Sequence, residues 1–135
     1  MQRNFLLSIL VLLLFISACS DDATVVKSKN IKRPLECLRL VVFPPDKLLS
    51  ETLNKLYKFD NNCSYTLEAS RKSGIVCNSN QNAPQKALSN FPNSFIRFDI
   101  YEKRKNIYSY YKDLTHCADK SDIENAFQRV QKDLL

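Results

Sequence analysis

The side chains best equipped for covalent or metal chemistry in this sequence are thiols. Cys37, Cys63, Cys77 and Cys117 are spread along the chain, and Cys19 stands apart at the end of an apolar run. Structural zinc sites favour closely spaced cysteine pairs, and redox centres favour C-x-x-C. Neither spacing occurs here, and the one histidine, His116, rules out a multi-histidine metal site. His116 adjoins Cys117, but adjacent side chains rarely face each other, so a nucleophilic dyad does not follow. Glu68, Asp99 and Glu102 are scattered among basic neighbours, and acid–base catalysis needs carboxylates that converge. The only glycine, Gly74, excludes Gly-rich phosphate loops and a G-x-S-x-G nucleophile elbow. The expectation is a non-catalytic protein with no cofactor and no metal.

Binding is the other chemistry on offer. Arg97, Tyr101, Lys103, Arg104, Lys105, Tyr108, Tyr110, Tyr111 and Lys112 fall in one short stretch. Tyrosines interleaved with cations suit an anionic glycan, an anionic lipid or a protein interface. The plain alternative is a strand–turn–strand, because tyrosine favours strands and cations favour solvated turns.

The elements that must position these residues can be read in order. Leu35 to Phe43 is apolar and bounded by Pro44-Pro45, which predicts a largely buried strand. Asp46 starts a helix in which Leu49, Leu53 and Leu56 share a face through about Phe59. Cys63 to Ser70 alternates as a strand, Arg71-Lys72-Ser73-Gly74 reads as a tight turn, and Ile75 to Asn78 as the returning strand. A polar loop, Asn78 to Gln85, and a short helical turn, Lys86 to Phe91, follow. Ser94 to Glu102 puts Phe95, Arg97, Asp99 and Tyr101 on one face and Ile96, Phe98 and Ile100 on the other. Lys103 to Asn106 turns the chain into a strand over Ile107 to Leu114. Ser121-x-x-Glu124 reads as a capping box, opening a helix with Ile123, Phe127, Val130 and Leu134 on one face. The fold class is therefore α+β, β-α-β-β-β-β-α: an antiparallel-rich sheet of about five strands with both helices on one face.

The N-terminus gives an address. Arg3 precedes an apolar run from Phe5 to Ile16, the length of a signal-peptide core and short of the roughly 20 residues that span a bilayer. Ile16-Ser17-Ala18-Cys19 resembles the bacterial lipobox. That resemblance implies cleavage before Cys19 and lipidation of its thiol. Ser20, where inner-membrane lipoproteins carry Asp, implies sorting to the outer membrane, facing the periplasm. The expected division is a signal peptide over 1–18, a lipidated flexible tether over 19–33, and one domain over 34–135. Removing Arg3 from the formal +6 leaves +5. Lys27, Lys29, Lys32 and Arg33 would lie in the tether as an electrostatic aid to membrane apposition. The expected partners are the membrane, through the lipid, and an envelope protein, with an anionic glycan or lipid as the alternative. Nucleic acid is not expected.

Four cysteines remaining in an exported domain predict two disulfides, with three possible connectivities. A right-handed crossover makes the first two strands parallel. With these strands, all four cysteines would gather at one end of the sheet. The tight turn disfavours a Cys63–Cys77 pair. The anchor and the order of elements are also similar to those of lipopolysaccharide-assembly lipoproteins that plug an outer-membrane barrel, though no motif carries that likeness. It implies a scaffold or assembly role.

Overall fold

Alternating apolar and polar residues dictate the central strand. Ile96, Phe98 and Ile100 bury on one face of Ser94–Glu102 while Arg97 and Tyr101 stay on the other. Burial keeps this period of two along the strand except at Asp99, which is buried on the polar side. The computed structural model describes residues 22–74 and 92–135. Within them the elements run β1 (Thr24–Lys27), β2 (Arg39–Val42), α1 (Lys47–Leu56), β3 (Tyr65–Ser73), β4 (Ser94–Glu102), β5 (Lys105–Leu114) and α2 (Lys120–Leu134). They form a five-stranded sheet of order β1-β5-β4-β3-β2. The sheet is mixed: β2 and β3 are parallel, and the other pairs are antiparallel.

Both helices lay their apolar stripes on one face of the sheet. Leu49 and Leu53 of α1, and Ile123, Phe127, Val130 and Leu134 of α2, join Leu67, Phe98, Ile100, Tyr108 and Tyr110 in a single core. Tyr57, Phe59 and Phe127 meet there with ring centroids 5.0–6.0 Å apart. Asp46 caps α1 by accepting from the Leu49 N–H at 2.9 Å. The capping box of α2 is Asp119 with Asp122, two residues upstream of the one expected from Ser121 and Glu124. An Asp pair closes the same reciprocal hydrogen bonds with shorter arms.

The chain enters the domain earlier than the tether reading allows. Thr24–Lys27 pairs with Tyr111 to Tyr108 of β5 as an edge strand, so the segment before Pro34 is part of the sheet. The reason lies at the end of α2. The buried Asp133 carboxylate takes Lys27 Nζ at 2.7 Å, Arg129 Nε at 3.0 Å and the Tyr108 hydroxyl at 3.0 Å. Arg33 donates to the Asp133 carbonyl at 2.9 Å, and the Leu35 N–H to the Leu134 carbonyl at 2.8 Å. A sequence window rich in charge looks solvated until a buried counter-charge is found for it.

Other boundaries shift for local reasons. Leu35 and Leu38 are buried but precede the strand, and β2 is an edge strand whose Val41 is exposed, as is Phe43 just beyond it. α1 stops at Leu56 rather than near Phe59. Arg71 to Ser73 continue β3 opposite Ile96 to Ser94 instead of turning, and Gly74 follows at φ 70. The strand over Ile75 to Asn78, the loop over Asn78 to Gln85, the helical turn over Lys86 to Phe91 and the whole leader with Cys19 lie outside the described residues.

One disulfide is formed, Cys37–Cys63, and Cys117 is free and exposed among the described residues. The expected gathering of cysteines does not occur. Because β4 pairs directly with β3, β5 runs parallel to β3, and Cys117 beyond its end lies opposite the Cys37–Cys63 end. Closing a loop with a separation of 26 residues stabilises the fold by about 3 kcal/mol in the chain-entropy picture.

The Asp133 cluster gives the acid response its sign. Burial alone would raise its carboxyl, but hydrogen bonds from Lys27, Arg129 and Tyr108 outweigh burial and hold it below the ordinary carboxylate value. The unfolded chain therefore takes up a proton at higher pH than the native chain does. This contribution is present above the unfolded value near 4 and is lost as pH falls through the lower native one. Asp133→Asn is expected to cost about 2–3 kcal/mol at neutral pH and to flatten the acid limb of a stability-against-pH curve measured by urea denaturation.

Candidate functional site

The alternation that builds the sheet divides the predicted tyrosine–cation surface in two. Tyr108 and Tyr110 point toward the helices and are buried in the core, which corrects their assignment to a binding surface. Burial, reinforced by the hydrogen bond to Asp133, pushes the Tyr108 phenol above its ordinary range, so it is a permanent donor. Lys112 stands opposite Ile96 at the edge of that same inner layer and is half-buried.

Arg97, Tyr101 and Tyr111 lie on the uncovered face. There Asp99, 5% exposed, gathers Arg97 Nε at 2.5 Å, the Ser109 hydroxyl at 2.6 Å and Asn106 Nδ2 at 3.3 Å. The hydrogen bond to Asp99, with its charge, raises the Arg97 guanidinium further. Phe95 stacks on Tyr111 with centroids 5.6 Å apart, and the Tyr111 hydroxyl donates to Asp113 at 2.7 Å. That hydrogen bond raises the Tyr111 phenol. These contacts tie Arg97, Asp99, Ser109, Tyr111 and Asp113 to one another or to their neighbours, whereas the Tyr101 hydroxyl makes no hydrogen bond among the described residues.

The turn is different. Lys103 and Arg104 connect β4 to β5, with Glu102 opposite Lys105 in register. A one-residue slip between Ile100 and Tyr101 leaves Ile107 as the extra residue of β5. The Ile107 carbonyl accepts from the Ser28 N–H at 2.9 Å, which carries the chain from β1 around to this end. Lys32 and Lys105 then line one small cavity of about 80 Å³, with Ser28, Asn30 and Glu102. Lys29, Lys32, Lys103, Arg104 and Lys105 are all exposed, and none of their side chains has a hydrogen-bond or ion-pair partner among the described residues. The sequence pattern picked out the turn. It assigned Lys29 and Lys32 to a membrane-side tether instead, because nothing local reports that β1 folds down the sheet.

No family model, curated protein or solved structure matches the chain.

The opposite end holds the helix N-termini. Arg71 clasps the Asp46 carboxylate, with Nη2 2.8 Å from Oδ2, and donates to the Ala118 carbonyl at 2.6 Å. His116 Nε2 lies 2.9 Å from Asp122 Oδ2. Burial opposes charge on Asp122, but the Asp119 N–H and His116 outweigh it and lower its carboxyl. His116, Asp119 and Asp122 bring their donor atoms within 4.8 Å of one another. Their geometry is that of a capped helix start, in which each carboxylate already accepts a backbone N–H. No described helix is long and apolar enough to cross a membrane.

Lys103 has φ 57, in the left-handed region where a residue with a Cβ is strained by about 1 kcal/mol. Glycine is relaxed there, although it loses more freedom on folding. Lys103→Gly is expected to stabilise the fold by about 0.5 kcal/mol, seen as a small rise in Tm. A fall of several degrees would contradict the strain.

Proposed function

We propose that this chain is a lipoprotein of the bacterial envelope, acylated at Cys19 and anchored in the outer membrane facing the periplasm. Its α+β domain acts without catalysis, as a scaffold or assembly factor for an envelope component. The observation that carries this reading is the two-ended layout of the domain. The chain enters at Thr24, opposite Tyr111 of β5, while the Lys103–Lys105 turn lies at the start of β5. The six residue steps of β5 from Tyr111 to Lys105, at about 3.3 Å each, separate the two by about 20 Å. A lipid at one end and a charged contact surface at the other is the layout of an adaptor. The lipobox-like Ile16-Ser17-Ala18-Cys19 supplies the anchor, and multiple acyl chains at about 0.8 kcal/mol per buried methylene make anchoring stable.

Two disulfides belong to the same reading. With Cys37–Cys63 formed, Cys77–Cys117 is the one pairing left. Ser73 and Leu114 are both register partners of Ser94. Cys117 follows Leu114, and Cys77 follows Gly74, by three residues each, a reach of about 10 Å per arm. Non-reducing peptide mapping of protein exported to the periplasm is expected to yield a Cys77–Cys117 peptide. Quantitative alkylation of Cys117 without reductant would rule the pairing out.

The anchor is tested by metabolic labelling. Wild-type chain is expected to incorporate palmitate and fractionate with the outer membrane, and Cys19→Ala to do neither. Crosslinking of the lipidated protein in its own envelope should then recover one dominant envelope partner. Label uptake unchanged in Cys19→Ala would end the lipoprotein reading.

A further inference from the structure

We propose that β2 is a docking edge for a second copy of this chain. The two β2 strands pair antiparallel about a two-fold axis at Val41, joining two five-stranded sheets into one. This goes beyond the scaffold reading and does not depend on the anchor.

Three observations converge on it. The first is an open ladder. The Phe43 N–H donates to the Ala69 carbonyl at 3.1 Å. Backbone groups of successive strand residues point to opposite sides, so those of Arg39 and Val41 also face β3, and those of Leu40 and Val42 face outward. Among the described residues nothing pairs with Leu40 or Val42 on that side. An uncovered row of this kind is a template for another strand.

The second is where apolar surface is left in water. Among the described residues the exposed large apolar side chains are Val26, Val41, Phe43 and Leu48. Val26 lies on β1, and the other three belong to β2 and the stretch that leads from it into α1. Phe43, 67% exposed, is the most open of them.

The third is self-complementarity, which favours a second copy over a foreign strand. With the axis at Val41, Leu40 stands opposite Val42 of the second copy, and every outward N–H and carbonyl of these residues gains a partner. The limits of the open stretch also coincide. On one side the Leu38 carbonyl is already taken by the Asp60 N–H at 2.9 Å. On the other, Pro44 has no N–H to donate. The two-fold sets these positions opposite each other, so neither is left wanting a bond. Charge fits as well. Arg39 is the one charged residue of β2, and this register places it against Phe43 of the second copy, a cation beside an aromatic ring, rather than against another Arg39.

The test uses the full-length chain in detergent, with Cys19, Cys77 and Cys117 replaced by Ser, and reads its mass by sedimentation equilibrium over a dilution series. So short an edge buries less than the roughly 800 Å² per partner of a standard interface, so a reversible dimer with Kd on the order of 10–100 µM is expected. Val41→Lys sets two lysines face to face and is expected to weaken it at least about ten-fold with little change in Tm. Val41→Thr, β-branched and uncharged, is expected to keep it. Val41→Cys in the same background is expected to oxidise to a covalent dimer, because the facing Cα atoms would be about 4.5 Å apart, within disulfide reach. Phe43→Cys is expected not to, since the two copies of that residue would lie about 14 Å apart along the strands. A chain that stays monomeric at several hundred micromolar, oligomers that grow beyond a dimer, a dimer indifferent to Val41→Lys, or Phe43→Cys crosslinking as readily as Val41→Cys would each overturn the proposal.

Discussion

A single buried carboxylate decides where the N-terminal part of this chain lies. Asp133 closes α2 against the sheet by accepting from Tyr108, and draws in Lys27 from β1 and Arg129 from its own helix. Its backbone carbonyl holds Arg33, and the next residue's carbonyl holds the Leu35 N–H. Without that charge, Lys27 would face the core side of the sheet with no counter-ion, and a strand of four residues has little else to keep it paired. A short edge strand is marginal by itself, and a partly desolvated ion-pair network supplies the missing stability only when each member has a partner. Here the carboxylate has its donors.

The same placement sorts the molecule's charge. Arg71, Arg97 and Lys27 are paired with Asp46, Asp99 and Asp133 respectively. The hairpin end gathers Lys103, Arg104 and Lys105 of the turn with Lys32, which the chain after β1 delivers beside it. The end where the chain enters is instead occupied by the two Asp caps, joined through Arg71 and the Ala118 carbonyl.

Much of the fold was legible because its signals are local. The alternation from Ser94 to Glu102 specified both faces of β4, and Asp46 with Leu49 and Leu53 specified α1. The parallel pairing of β2 with β3 followed from crossover handedness. What was not legible depends on partners distant in sequence. Thr24–Lys27 reads as tether because its ladder is on β5 and its counter-charge lies about a hundred residues away. Tyr108 and Tyr110 look like Tyr111 in sequence, and only the parity of β5, offset by the extra residue Ile107, decides which are buried. The cysteine geometry failed by one strand: direct pairing of β3 with β4 reversed β5 and moved Cys117 to the other end. Of the candidate site, the turn was visible and its second half was not.

The central claim is that residues 24–27 are a structural strand that fixes the direction of the domain, rather than a tether. Native-state hydrogen exchange on the full-length chain addresses this directly. Protection of backbone amides within Thr24–Lys27 that approaches that of their partners in β5, and that drops when Asp133 is replaced by Asn, is the expected result. Exchange of this segment at the rate of an unstructured peptide would contradict it, and would return Lys29 and Lys32 to a tether.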